Sequence, residues 1–257
     1  MKKTELKDKV ALVTGSSRGI GKTIARELAR QGCKVIVHGS RDSKALHSSF
    51  EEVRVLSPES IMVTAELSRP MEIDEMFSKI RTTFAGLDIL TNNAATQNPS
   101  GVLELKQEDW DRVLSVNLKA PFLCAQHAGR MMRDNKTGGK IINISSVHAY
   151  DARRYYAHYS AAKGALETLT KSLALELAQY NIQVNSIVAG AIATELTPLD
   201  RQASFLTSIP AGRIGTTEEI AQLVAFLCSN RCDYITGASI TVDGGLTLGF
   251  CATRPDL

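Results

Sequence analysis

Short apolar runs alternate with amphipathic segments along nearly the whole chain, and this alternation restricts the fold more than any other feature. The strand-like runs fall at 10–14, 34–38, 60–64, 88–91, 140–144, 182–187 and 239–242, and the helical patterns at 19–31, 43–56, 71–84, 107–134, 158–180 and 217–228. Strands that alternate with helices are typical of a parallel sheet covered on both faces. The sequence therefore predicts an α/β fold built on a doubly wound parallel sheet.

The chain contains no linker, repeat or low-complexity segment, so we expect residues 1–257 to form a single domain. The stretch 192–212, which contains Pro198 and Pro210, interrupts the rhythm of strands and helices. Long segments of this kind often cover active sites in compact domains. We therefore expect a substrate lid at 192–212.

Composition argues against several classes of protein. The net charge of +3 is small, and no dense stripe of Lys and Arg supports nucleic-acid binding. The N-terminal residues lack the apolar centre of a signal peptide, and no apolar run approaches the ~20 residues that span a bilayer. The five cysteines are scattered, with no C-x-x-C pair, which indicates reduced thiols rather than a metal site. We expect a cytoplasmic protein that binds no membrane, nucleic acid or metal.

The first predicted strand leads into a glycine-rich turn, TGSSRGIG at 14–21, and then into a helix. This arrangement presents backbone N–H groups and a helix N-terminus to a pyrophosphate. The glycine spacing, G-x-x-x-G-x-G, differs from the commoner G-x-G-x-x-G. The context predicts a dinucleotide cofactor, and the alternative is a glycine-rich turn without a ligand.

The end of the second predicted strand decides which dinucleotide is expected. Sites for NAD usually place an acidic residue there, whereas this chain has His38, Gly39, Ser40 and Arg41. An anionic 2′-phosphate would meet no negatively charged side chain there, and the positively charged Arg18 and Arg41 could pair with it. The sequence favours NADP, with NAD as the alternative. Arg41 could equally be a solvated loop residue.

A candidate proton-transfer site follows the fifth predicted strand. Ser146 stands where this strand would end, and Tyr159 and Lys163 lie four residues apart in the next helical pattern. That spacing places the two side chains on one helix face, about one turn apart. A nearby ammonium lowers the pKa of a phenol, which could then exchange a proton at neutral pH. The alternative is an ordinary exposed Tyr–Lys pair.

Several motifs taken together resemble the short-chain dehydrogenase/reductase family. They are TGSSRGIG, NNAA at 92–95, Asn117, the Ser146 and Tyr159-x-x-x-Lys163 group, and ITGASITVDGG near the end, so that the resemblance covers residues 8–249. The separation of Ser146 from Tyr159 is the family's spacing. It selects Tyr159 over Tyr155 and Tyr156, neither of which has a lysine four residues later.

The resemblance implies a Rossmann-type, seven-stranded sheet and hydride transfer between a nicotinamide and an alcohol or carbonyl. Tyr159 would be the acid/base and Lys163 would lower its pKa and hold the nicotinamide ribose. Ser146 would orient the substrate oxygen, and Asn117 would support the proton relay. The implied cofactor residues are Gly15, Ser17, Arg18, Gly19, Ile20, Gly21, Ser40, Arg41, Glu66, Leu67, Asn93, Ala94, Tyr159, Lys163, Gly190, Ile192 and Thr194. Family members are commonly tetramers, so a homotetramer is expected here.

Within the family, the chain is most similar to glucose 1-dehydrogenase and related sugar or polyol dehydrogenases, with the 3-oxoacyl-carrier-protein reductases next. The loop between Ser146 and Tyr159 carries Arg153 and Arg154, and arginines beside a reaction centre commonly bind anions. We therefore hypothesise a hydroxylated, anionic small-molecule substrate such as a sugar acid. The alternative is that both arginines face solvent or a neighbouring subunit.

Two further points complete the expectations. His148, Gln97 and Asn98 are plausible ligands for substrate hydroxyls. A function of another class is a non-catalytic nucleotide-binding protein that keeps the fold, although the intact Ser, Tyr and Lys argue against it.

Overall fold

A computed structural model of the chain describes residues 5–195 and 208–248. Seven parallel strands form one sheet in the order β3-β2-β1-β4-β5-β6-β7. The strands are β1 Val10–Val13, β2 Lys34–Gly39, β3 Ile61–Thr64, β4 Ile89–Asn92, β5 Gly139–Ser146, β6 Ile182–Ala189 and β7 Ser239–Val242. The predicted α/β fold with a doubly wound, Rossmann-type parallel sheet of seven strands is confirmed.

Helices cover both faces of the sheet. They are α1 Gly19–Arg30, α2 Lys44–Leu56, α3 Pro70–Phe84, α4 Gln107–Leu114, α5 Ala120–Asp134, α6 Ala157–Leu177 and α7 Thr217–Cys228. Helices α1, α2 and α7 pack on one face and α3, α5 and α6 on the other, each with its own buried apolar cluster. Successive strand residues supply opposite faces, because Ala11 and Val13 belong to the first cluster and Val10 and Leu12 to the second.

The helical pattern at 107–134 is interrupted, although the sequence predicted one continuous helix. A π-helical turn at Ser115–Lys119 separates α4 from α5. Pro121 lies in the first turn of α5 and has no amide hydrogen for the carbonyl of Asn117, so the regular α-helical bond cannot form there. The turn places Asn117, which is fully buried, beside the loop after β4.

Residues 196–207 of the expected lid lie outside the described part of the chain, so that expectation stays a prediction. On either side of them, Ile192 and Gly215 form an isolated parallel bridge. This bridge brings the segment after β6 next to the segment before α7, close to the carboxyl ends of the strands.

Candidate functional site

The strand order reverses between β1 and β4, and the candidate site lies at the carboxyl ends of the strands there. Open parallel sheets bind ligands in the crevice at such a switch point. The glycine-rich turn follows β1, and the loop containing Asn93 and Ala94 follows β4. The topology therefore brings together two motifs that are far apart in the sequence.

The two loops approach too closely for larger side chains. Gly15 has φ +63°, and a Cβ there would lie 2.8 Å from the Cα of Ala94. A Cβ on Gly21 would collide with the Asn93 side-chain nitrogen and the Gly15 carbonyl oxygen. The Asn93 amide donates to the carbonyls of Thr14 at 2.9 Å and Gly15 at 3.0 Å, which fixes the turn against β4. Glycine is needed here because backbone passes against backbone.

A cavity of about 450 Å³ opens above these loops. Most of the predicted cofactor residues line it: Gly15, Ser17, Arg18, Gly19, Ile20, Gly21, Ser40, Glu66, Leu67, Asn93, Ala94 and Thr194. The prediction omitted the other lining residues: His38, Gly39, Ala95, Thr96, Arg112, Val116 and Glu195. Arg41, by contrast, is exposed and lies outside this lining, which favours the alternative of a solvated loop residue.

The N-terminus of α1 already binds a carboxylate in this structure. The backbone N–H of Gly19 donates to Oε2 of Glu195 at 3.0 Å. A helix N-terminus carries unpaired N–H groups and a partial positive charge, so it binds carboxylate and phosphate oxygens in the same way. The Glu195 oxygen stands where a phosphate oxygen would bind. The glycine cradle and this anion-binding terminus fit the pyrophosphate of a dinucleotide.

A second cavity, of about 860 Å³, adjoins the first at Thr194, which lines both. It contains Ser146 and Tyr159, together with the predicted substrate residues Gln97, His148 and Arg153. Gly190 and Ile192, predicted as cofactor residues, also line it.

The two loop arginines have different positions. The guanidinium of Arg153 lies 4.4 Å from the centre of the Tyr156 ring at the wall of the second cavity. The guanidinium of Arg154 lies 5.7 Å from the centre of the exposed Tyr155 ring and takes no part in the described lining. For Arg154 this position favours the alternative that its side chain faces solvent or a neighbouring subunit, and its predicted substrate role stays a prediction.

Lys163 is buried beneath Tyr159 and contacts the backbone of β5. Its Nζ donates to the carbonyl of Ile144 at 2.7 Å and lies 5.7 Å from the centre of the Tyr159 ring. Burial lowers the pKa of Lys163 to about 8, and the negative charge of Glu167, one helical turn further along α6, opposes this shift. Lys163 lines neither of the two cavities within the described chain, although a ribose-binding role was predicted for it.

Burial and two neighbouring groups set the direction in which the pKa of Tyr159 shifts. Burial raises the pKa of the phenol above its ordinary value, whereas a hydrogen bond with Ser146 and the positive charge of Arg153 lower it. The Lys163 ammonium donates to the Ile144 carbonyl and lies 5.7 Å from the centre of the Tyr159 ring, and its predicted effect on the phenol stays a prediction. Arg153 is thus a further cation that favours the phenolate, and sequence spacing could not reveal this.

Asn117 supports the loop after β4 rather than facing the second cavity. Its Oδ1 accepts from the N–H of Thr96 at 2.8 Å, and its Nδ2 donates to the carbonyl of Thr96 at 2.9 Å. Both polar groups of the buried amide are therefore used to fix Thr96, a residue of the first cavity. The predicted relay role stays a prediction.

Two negative findings concern the described residues alone. Within 5–195 and 208–248, no group of three His, Cys, Asp or Glu side chains is placed to hold a metal ion. No helix in the same ranges is long and apolar enough to cross a membrane.

The fold and the site together define a class: a Rossmann-type oxidoreductase that would hold a dinucleotide in the first cavity and react in the second. Comparisons with known proteins agree with this class. A family profile described as "Enoyl-(Acyl carrier protein) reductase" matches residues 15–247. A 3-oxoacyl-[acyl-carrier-protein] reductase from Synechocystis is 38% identical over 246 residues, which cover 95% of this chain and 99% of that protein.

Solved structures give the same result. A short-chain type dehydrogenase/reductase from Mycobacterium marinum has a TM-score of 0.90 and 33% identity, covering 96% of this chain and 98% of that one. A provisionally named 2-deoxy-D-gluconate 3-dehydrogenase from Agrobacterium tumefaciens, solved with bound NADP, has a TM-score of 0.88 and 33% identity, covering 97% and 100%. The chain belongs to the short-chain dehydrogenase/reductase family, and it is an NAD(P)-dependent oxidoreductase acting on CH–OH groups.

Proposed function

We propose that this enzyme interconverts an alcohol and a carbonyl on a hydroxylated, anionic small molecule such as a sugar acid, using NADP. The observation that carries this proposal is the position of Arg153 at the wall of the cavity that contains Ser146 and Tyr159. Neutral substrates would leave this guanidinium without an anionic partner, whereas a carboxylate can pair with it through two hydrogen bonds.

The charge of Arg153 reaches the reaction centre. Burial is the largest influence on both groups, raising the pKa of Tyr159 and lowering that of His148, and the charge of Arg153 acts to lower the pKa of each, so its field extends to the place where the substrate oxygen would bind. Asp151 and Gln97 also line the cavity and could accept or donate hydrogen bonds to hydroxyl groups. A substrate with one anionic end and several hydroxyls matches this lining.

The proposed chemistry assigns one proton to Tyr159. A bound nicotinamide would supply the hydride donor or acceptor. In the reduction direction, the phenol of Tyr159 donates its proton to the carbonyl oxygen, and in oxidation the phenolate accepts the proton of the alcohol. Ser146 orients the same oxygen, and Lys163 holds its positive charge below the phenol. The intact group argues against a non-catalytic nucleotide-binding protein.

NADP is proposed from the charges around the first cavity. No acidic residue follows His38 at the end of β2, and Arg18 and Arg112 both line the cavity. The carboxylate of Glu66 also lines it, but it accepts hydrogen bonds from the backbone and hydroxyl of Ser68. Titration with NADP and NAD tests this point, and we expect tighter binding of NADP.

The second candidate is a 3-oxoacyl-carrier-protein reductase, which the Synechocystis relative favours. A carrier-bound acyl chain requires an apolar channel and a surface that binds an acidic carrier protein, whereas a sugar acid requires a polar pocket. Steady-state kinetics with aldonates, the matching neutral aldoses and a 3-oxoacyl thioester separate the two candidates. Oxidation of a substrate can be followed by the absorbance of the reduced nicotinamide.

The matched variants are Arg153→Gln and Arg154→Gln. We expect kcat/KM for the acidic sugar to fall by at least about tenfold in Arg153→Gln, because a charge-assisted pair is lost, and to stay unchanged in Arg154→Gln. An unchanged preference for the acid over the neutral sugar in Arg153→Gln would contradict the anionic substrate. Turnover of the thioester alone would support the second candidate.

We also propose a homotetramer. Exposed apolar side chains on the two long helices, Phe122 on α5 and Leu175 on α6, support association through these helices. Light scattering coupled to gel filtration tests the stoichiometry, and a monomer would contradict it.

A further inference from the structure

His38, which the mechanism does not use, connects three segments at the edge of the first cavity. It lies near the end of β2 and is 1% exposed. Its Nδ1 accepts from the backbone N–H of Gly15 at 2.9 Å, and its Nε2 lies 3.0 Å from the carbonyl oxygen of Ala65. One imidazole ring therefore joins the glycine-rich turn to the end of β3.

The two partners determine the protonation state of the ring. The N–H of Gly15 can only donate, so Nδ1 must be unprotonated. The carbonyl of Ala65 can only accept, so Nε2 must carry the hydrogen and donate it. Burial lowers the pKa of His38 to about 4, which agrees with a neutral ring. A doubly protonated ring would direct an N–H at the N–H of Gly15.

Backbone hydrogen bonds hold the same turn from the other side. The N–H of Ser16 donates to the His38 carbonyl at 2.9 Å, and the N–H of His38 donates to Oγ of Ser16 at 2.8 Å. The hydroxyl of Ser49 on α2 donates to the Ser16 carbonyl at 2.7 Å. Gly15 itself has a left-handed backbone, φ +63°, that its N–H bond to His38 helps to hold.

We propose that His38 is a positioning residue for the dinucleotide: its neutral ring holds Gly15 in the conformation that aims the turn at the pyrophosphate. The ring contacts the turn and not the reacting atoms. Substitution of His38 should therefore weaken cofactor binding more than it lowers kcat. The inference rests on dinucleotide binding in the first cavity and is independent of the proposed substrate.

Three substitutions separate the two side-chain bonds. In His38→Asn, the side-chain oxygen can occupy the position of Nδ1 and still accept from Gly15, but the side chain is too short to reach Ala65. In His38→Gln, the amide nitrogen reaches the position of Nε2 and can donate to Ala65, while the acceptor for Gly15 is lost. His38→Leu removes both bonds. The control is His47→Leu, because His47 is an exposed histidine on α2, away from the cavity lining.

The experiment measures the Kd for NADPH by fluorescence titration, with KM for cofactor and kcat alongside. Because the Gly15 N–H loses its acceptor, we expect Kd to rise by about tenfold or more in His38→Gln and His38→Leu. In His38→Asn we expect a rise of less than about threefold, since the Gly15 bond remains. In every variant the change in kcat is smaller than the change in cofactor KM. The His47→Leu control matches the wild type.

Three outcomes would overturn the proposal: an unchanged Kd in His38→Gln, a loss in His38→Asn equal to that in His38→Gln, or a fall in kcat with Kd preserved. If His38→Leu fails to fold, the Asn and Gln variants decide. A nitrogen NMR spectrum of the wild-type histidines provides a test without any substitution. A neutral ring protonated at Nε2 is the expected result, and a hydrogen on Nδ1 of His38 would overturn the proposal.

Discussion

Gly21→Ala tests whether the close approach of α1 to the β4 loop holds the cofactor turn together. Gly21 lies in the first turn of α1, where an added methyl group would collide with the Asn93 side chain and with the backbone oxygen of Gly15. The side chain of Asn93 can move, but the Gly15 carbonyl belongs to the turn itself. Relieving the collision therefore breaks the Asn93 bonds to Thr14 and Gly15 or displaces the turn.

The size of the effect follows from these contacts. Overpacking costs about 1–3 kcal/mol, and each lost hydrogen bond adds about 1 kcal/mol. Alanine regains up to about 1 kcal/mol in a helix. With both Asn93 bonds lost, we expect the free energy of unfolding to fall by about 2–4 kcal/mol. Gly129→Ala is the matched control, because Gly129 is also helical and its added methyl group would contact only Leu177, at an ordinary 3.6 Å. It should be neutral or stabilising by less than about 1 kcal/mol.

The assay is urea unfolding of both variants and the wild type at one protein concentration, with NADPH titration of each. The concentration is fixed because association of subunits contributes to apparent stability. Gly21→Ala should lose both stability and cofactor affinity, and Gly129→Ala should lose neither. Equal stability and equal affinity in the two variants would refute the close-packing argument.

Three pH measurements test the electrostatics of the site. Arg153→Gln removes a positive charge that lowers the pKa of Tyr159. The rate of alcohol oxidation rises with pH as the phenolate forms, so in this variant the rise should move to higher pH. An unchanged pH profile would contradict this. Glu167→Gln removes a charge that raises the pKa of Lys163, so the loss of kcat at alkaline pH should begin lower than in the wild type. Burial lowers the pKa of His38 to about 4 in the folded protein, against 6.5 ordinarily. Below pH ~6.5 the unfolded chain therefore binds a proton that the folded chain does not. About 3 kcal/mol of stability, fully present above pH ~6.5, is lost progressively towards pH ~4. His38→Asn should flatten the decline of unfolding free energy over that range, relative to the wild type.

The sequence predicts the sheet well because each strand is a short apolar run, and the central strands β1, β4, β5 and β6 are buried along nearly their whole length. Periodicity could not locate the break in the helix at 107–134, although Pro121 supplied the local signal. The cofactor turn was also predictable, because its glycines stand between a strand and a helix in the sequence. Glycine is needed at these positions because the turn passes close to the loop after β4.

Other features of the site depend on contacts between distant segments. His38 reaches Gly15 and Ala65 because β1 and β3 are the neighbours of β2 in the sheet. No local sequence pattern indicates which side chain will accept the hydrogen bond from Gly15. Arg153 and Arg154 are neighbours in sequence, yet only the loop conformation places one of them at the cavity. The spacing of Tyr159 and Lys163 brings the two side chains close together, but burial, which raises the pKa of Tyr159 and lowers that of Lys163, depends on the whole fold.

Removing one oxygen atom, in Tyr159→Phe, tests the central claim most directly. The control is Tyr155→Phe, because the ring of Tyr155 is exposed and lies outside both cavity linings. The claim is that the phenol of Tyr159 transfers the proton that accompanies hydride transfer. Turnover in Tyr159→Phe should fall by about 10²–10⁴-fold while NADPH still binds, and Tyr155→Phe should keep the wild-type rate. Wild-type turnover in Tyr159→Phe would contradict the claim.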